Sequence, residues 1–304
     1  MGYARWNPAD WSRYSRSSVR GRSRRELFFR RSIEPDFDPL NIRLRESRDS
    51  ERNPESTAII IAFDETGSMG AIPEAFVRAG LATLVEEILA RKPVPDPHVM
   101  IMGFGDAWCD DAPLQVTQFE ADLRIAEQLQ RIYLEGGGGG NAFESYNLPW
   151  YFAARRTALD CFEKRGQRGY LFTVGDEPPP PVLLAQHVQR VFGDAVPDDL
   201  ASADVLAMAS RMYHVFHVVV EQGSFYRSAP DLVLDPWREL LGQRVLPLAD
   251  YTRLAEVIVA AMEVSGGTGA VDVASSPATS RDLVVSNAVA GLKRLLGPNG
   301  IVRF

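Results

Sequence analysis

A chain of 304 residues of which 45% are apolar can fill a substantial core, which argues against a fibrous or disordered polymer. No run approaches the roughly 18 apolar residues of a membrane span, and the first thirty residues lack the apolar centre of a secretory signal, so a cytoplasmic protein without membrane attachment is expected. The net charge of −7 hides a division: residues 1–31 hold nine Arg against Asp10 and Glu26, a local +7, so the remainder carries −14.

Residues 1–55 show no sustained period and are rich in Ser, Arg and Pro, so they read as an extended Arg-rich arm. Trp6, Trp11, Tyr14, Phe28 and Phe29 interleave with the arginines. Such an arm suits three occupations: wrapping its own body, entering a protein interface, or binding nucleic acid through residues 1–50.

From residue 56 the pattern becomes regular and continues to 265. Five apolar, β-branched or aromatic runs read as strands: 58–63, 98–104, 169–174, 213–220 and 244–248. Helical segments are expected at 73–89, 120–134, 144–164, 198–212, 231–241 and 251–264, the first with Val77, Leu81, Leu84 and Ile88 on one stripe. Residues 114–119 suit an antiparallel edge strand. Wholly apolar strands alternating with helices predict a three-layer α/β/α sandwich with a mostly parallel sheet, whose working site lies at the carboxyl ends of the strands. Residues 266–304 read as a Gly/Ser/Thr/Ala linker followed by a short amphipathic helix, which would dock on the domain or on a partner. Cys109 and Cys161 have no metal-ligand spacing and read as ordinary thiols of a reducing compartment.

Three loops at strand or helix ends hold the chemistry-bearing residues. The first is Asp64-Glu65-Thr66-Gly67-Ser68, the second the glycine run 136–140 with Asn141 before Glu144 and Ser145, and the third Val174-Gly175-Asp176-Glu177. Two hydroxyls two residues apart, with carboxylates set deeper at the strand ends, make an oxygen donor set for a hard cation such as Mg2+. The structural alternative is a strand-end carboxylate bonded to backbone amides, with Ser68 capping the next helix.

In this order and spacing the stretches "FDETGSMG", "GGGGGNAFES" and "VGDEPP" resemble the von Willebrand factor A domain, in its intracellular microbial branch, over roughly residues 57–264. The resemblance implies a Rossmann-like fold with a metal-ion-dependent adhesion site. Asp64, Thr66, Ser68, Asn141 and Asp176 would then be the metal residues, with Mg2+ bound and Mn2+ or Ca2+ as alternatives. Asn141 departs from the family pattern, since an amide oxygen ligates without bringing charge. The implied function is binding rather than catalysis: the cation is presented to an Asp or Glu of a partner protein, with MoxR-type AAA+ ATPases and stress or phage-defence systems as implied associates.

The rival reading is a haloacid-dehalogenase-like, Mg2+-dependent phosphoryl-transfer enzyme with Asp64 as nucleophile, because "DETGS" also resembles that turn. Pro180 stands where its second metal-loop acid belongs, and Lys164, the available cation, falls in or at the end of a helix. No Gly-Lys-Ser/Thr follows the glycines, which argues against a P-loop. Asp106, Asp110 and Asp111 read as a solvated acidic loop on the same rim. His98, His187, His214 and His217 read as packing residues.

Overall fold

The computed structural model describes residues 6, 7, 10, 13, 14, 21–136, 143–266 and 280–292, without the side chains at 77, 79 and 280–282. Its strands in chain order are β1 (Arg45–Ser47), β2 (Thr57–Asp64), β3 (Pro97–Phe104), β4 (Leu114–Val116), β5 (Thr157–Leu159), β6 (Gly169–Gly175), β7 (Val182–Leu183), β8 (Leu200–Ala201), β9 (Tyr213–Val220) and β10 (Val245–Leu248). Six of them form the central sheet in the order β10-β9-β6-β2-β3-β4. Every pairing in it is parallel except β3 with β4, the expected antiparallel edge.

Strand β2 shows why the sheet is covered on both sides. All eight of its residues are buried, and alternation sends Ile59, Ile61 and Phe63 into one apolar layer while Ala58, Ile60 and Ala62 enter the other. The first layer is closed by the helices Leu81–Arg91 and Leu254–Gly266, the second by Asn147–Arg155, Ser202–Ser210 and Pro230–Leu241. Three layers result. The sheet ends in two short edges: β4 has three residues, and β10 has four with Pro247 among them.

The chain leaves β2 toward β3 on one side and later returns to β6 on the other, so strand order reverses between β2 and β6. Phe63 pairs with Val174, which brings the residues after both strands to one crevice at the carboxyl rim.

The expected helices at 144–164 and 120–134 are cut short. The first is the helix Asn147–Arg155, then β5, then the turn Asp160–Glu163, because β5 pairs with β1 far back in the chain. The second is only Arg124–Leu129, since Glu120 exchanges backbone hydrogen bonds with Val99. The expected helix at 73–89 starts at Ile72 and passes through a π turn at Phe76–Gly80 before continuing as Leu81–Arg91. Helix Ala185–Phe192 and the pair β7/β8 were not anticipated from sequence.

The described part of the N-terminal region lies against the body. Trp6 Nε1 donates to Pro97 O at 2.8 Å, Leu27 and Phe28 pack with Tyr14 and Leu134, and Phe37 enters the core. The C-terminal helix Ser280–Val289 docks on the domain through Ala288 and Val289, joined by Leu292. Among the described residues no helix is long and apolar enough to cross a membrane.

Candidate functional site

Where β2 ends, the backbone turns and Asp64 becomes its acceptor. Its Oδ1 receives the Thr66 amide at 2.8 Å and the Thr66 hydroxyl at 2.6 Å, a side-chain-closed turn that fixes the loop without regular pairing. Thr66 Oγ1 lies 3.2 Å from Ser68 Oγ, and Ser68 donates to Asp176 Oδ1 at 2.6 Å. Four of the five residues singled out in the sequence thus form one continuous chain of oxygens, linking the ends of β2 and β6. The fifth, Asn141, lies outside the described residues. Ser68 is not a helix cap: the following helix starts at Ile72, and the hydroxyl is spent on Asp176.

Asp176 is held from behind. Its Oδ2 accepts the Phe225 amide at 2.8 Å, and it sits so close to Gly223 that a Cβ there would fall 2.2 Å from its side chain. Only glycine admits this approach. Tyr146 bridges the two strands: its hydroxyl lies 3.5 Å from Asp64 Oδ2 and accepts the Glu177 amide at 3.2 Å. The same hydroxyl occupies the space where a side chain on Gly175 would be, 2.1 Å from that Cβ position. Behind Glu177, the Trp237 indole donates to its carbonyl at 2.9 Å and stacks on His217, whose Nδ1 is 2.9 Å from Thr173 Oγ1.

The electrostatics are one-sided. Burial, reinforced by Asp176 and Glu177, pushes Asp64 up to about 8 against the pull of the Thr66 bonds. Burial and then Asp176 and Asp106 raise Glu177 to about 7. Glu144 is raised to about 10, by burial and then by Asp64, Glu177, Asp106 and Asp110. Its Oε2 is buried without a hydrogen-bond partner. Among the described residues no Lys or Arg forms an ion pair with Asp64, Glu144, Asp176 or Glu177.

Glu144 is the residue that sequence reasoning misplaced. An acid in a first helical turn was expected there, but the helix begins at Asn147 and leaves Glu144 buried in the loop before it. The signal was a carboxylate four residues after the last glycine of the 136–140 run. Asp106 and Asp110 are also corrected: they are 1% and 5% exposed, not solvated. Asp106 accepts the Trp108 amide at 2.9 Å and Asp110 accepts the Asp106 amide at 2.7 Å, so these acids shape their own loop. The thiol of Cys109 beside them is exposed yet pushed up from the ordinary thiol range, by partial desolvation and then by its contacts with Asp106 and Asp110. Glu65, raised well above the carboxylate range by burial and then by Asp64, Glu135 and Asp110, is bonded through both oxygens to Gln115 Nε2.

No family model matches the sequence, and no curated protein matches it either. Solved structures do resemble the chain. One of them is a von Willebrand factor type A protein. That structure, from Catenulispora acidiphila, shares 15% identity over 70% of this chain and 43% of its own, at a TM-score of 0.38. Proximal thread matrix protein 1 from the mussel byssus shares 12% over 67% and 46%, at 0.41, and another of its crystal structures carries a zinc-occupied MIDAS motif. The pilus adhesin SpaC from Lactobacillus rhamnosus GG shares 9% over 70% and 31%, at 0.41. The chain spans less than half the length of each of these proteins.

Proposed function

We propose that this chain is a metal-dependent protein-interaction domain that holds a divalent cation among Asp64, Thr66, Ser68 and Asp176, Mg2+ first, with Mn2+ and Ca2+ as alternatives. The observation that carries the reading is the hydrogen-bonded run of these four residues across the reversal point of the sheet, set among acids that no basic side chain among the described residues pairs with. The unpartnered buried Oε2 of Glu144 fits a rim built to face positive charge. Among the described residues no three of His, Cys, Asp and Glu converge as a metal group; the proposed donor set instead combines two hydroxyls with two carboxylates. When bound, the cation supplies a coordination position for a carboxylate oxygen of a partner protein. The chain's own part is to aim the hydroxyls: Asp64 orients Thr66, Asp176 orients Ser68, and Tyr146 and Phe225 keep the two carboxylates in place. A MoxR-type AAA+ ATPase is the first candidate partner to test, on resemblance alone.

For the phosphoryl-transfer reading, no contact among the described residues supplies the cation it needs beside Asp64. Lys164 stands before β6, at the opposite end of that strand from Asp176, where its ammonium pairs with Asp160 at 2.6 Å and Asp49 at 3.4 Å. Calorimetric titration of Mg2+ into the wild type and Asp64→Ala, with circular dichroism to check folding, tests the proposal. Binding by the wild type and none by the folded variant is expected; equal titration curves would overturn it. Pull-down from lysate with and without EDTA then reads the partner.

A further inference from the structure

Beside the Asp64–Ser68 loop runs an arginine-rich segment that lies outside the hydrogen-bonded run of Asp64, Thr66, Ser68 and Asp176. The turn Arg24–Leu27 is closed at its start by Glu26, whose Oε2 accepts both the amide and the hydroxyl of Ser23 at 2.7 Å. It is pinned by Leu27, which is fully buried and packs with Phe28, Tyr14 and Leu134. On the other flank Arg24 Nη1 donates to Gly70 O at 3.3 Å, two residues beyond Ser68, and Arg78 Nη2 donates to Arg22 O at 2.8 Å. The segment therefore reaches from the end of the first loop to Leu134, which leads into the second.

Arg22, Arg24 and Arg25 are all exposed on this fixed segment. The nearby acids are already engaged: Glu26 by Ser23 and Glu74 by Arg78 at 2.6 Å, with Arg24 only at 4.0 Å from Glu74. Among the described residues Arg22 and Arg25 form no salt bridge. Exposed arginines thus lie on a segment that touches the chain two residues beyond Ser68, on the flank of a loop whose own charges are acidic.

We propose that Arg22, Arg24 and Arg25 are a second recognition element, and that the partner segment is acidic, with further Asp or Glu residues flanking the one directed at the cation. This inference rests on the metal-dependent reading above. Charge complementarity carries it: a lone carboxylate would satisfy the cation alone, whereas a run of them also meets the guanidinium groups, which pair with carboxylates in a planar fork. A nucleic acid would meet the same arginines, but its phosphates would also face the buried acids of the rim.

The test uses the full chain and a fluorescent hexaglutamate peptide, with oligo-dT as the rival polyanion. Mg2+ is first titrated alone into the wild type and the variant Arg22→Gln/Arg24→Gln/Arg25→Gln, and thermal melting confirms that both are folded. Equal Mg2+ binding is expected, with peptide binding in Mg2+ weaker in the variant by about tenfold and less sensitive to salt. If the wild type binds no Mg2+, the proposed function fails. If Mg2+ binds but the peptide does not, or binds both proteins alike, this inference fails. Tighter, Mg2+-independent capture of oligo-dT would also overturn it.

Discussion

Replacing Gly223 by Ala asks whether the third loop is built around Asp176. The added methyl would lie 2.2 Å from both Cβ and Oδ2 of Asp176 and 2.3 Å from its Cγ, so one of the two must move. The side chain is restrained by the Phe225 amide at 2.8 Å and the Ser68 hydroxyl at 2.6 Å. Overpacking of this kind costs about 1–3 kcal/mol, and a hydrogen bond to a charged group about 1.5–3 kcal/mol if it is lost. A net loss of about 2–4 kcal/mol is therefore expected, which in a domain of this size lowers Tm by roughly 4–10 °C. Because Asp176 orients Ser68, Mg2+ affinity should fall by at least about tenfold. Gly166→Ala is the control: Gly166 has a φ of +65° and nothing within 4 Å of its would-be Cβ, so it should lose about 1 kcal/mol through backbone strain alone and leave Mg2+ binding unchanged. Scanning calorimetry and Mg2+ titration read both. Should Gly223→Ala match Gly166→Ala in both measurements, the close approach has no bearing on the site.

Burial pushes His98 down to about 4, and a histidine kept neutral in the fold stabilises it fully above the unfolded value near 6.5 and loses that contribution as pH falls toward 4. By pH 5 the loss should be about 2 kcal/mol, and His98→Gln should flatten the slope of urea-denaturation stability between pH 7 and 5. His214 and His217 are depressed in the same direction, so acid lability should persist in part in that variant. Arg156→Lys should cost about 2–4 kcal/mol in a urea melt, because one ammonium cannot replace a planar fork that serves the carbonyls of Pro39, Ile42 and Phe192 and the Asp194 carboxylate. With a generic phosphate ester and Mg2+ no turnover above background is expected; turnover abolished specifically in Asp64→Asn would restore the phosphatase reading.

The strands were legible because each is apolar on both faces, and five runs read from the sequence coincide with β2, β3, β6, β9 and β10 to within a residue or so at each end. What local pattern cannot show is pairing at a distance. Residues 144–164 carry a helical stripe, yet Thr157 sits in a strand opposite Arg45, with its hydroxyl donating to Ala153 O at 2.6 Å and 2.8 Å from the Tyr213 hydroxyl. Helix Ala185–Phe192 did have a signal, Val188 with Val191 and Phe192, hidden after a run of prolines. At the site, Asp64, Thr66, Ser68 and Asp176 were found because hydroxyls and acids at strand ends are a local motif. Tyr146 and Gly223 were not, since their roles exist only after residues from separate segments meet.

The two borders of the central sheet bear on how this protein can associate. A long, regular outer strand invites a neighbour to extend the ladder, the first step toward aggregation through sheet growth. Here one border is a three-residue antiparallel strand, and the other contains Pro247, which has no amide hydrogen to offer and lies in a strand covered by the C-terminal helix. Lateral recruitment of strands is thereby discouraged on both flanks, so growth of the sheet from one copy into the next is not a route this fold offers readily.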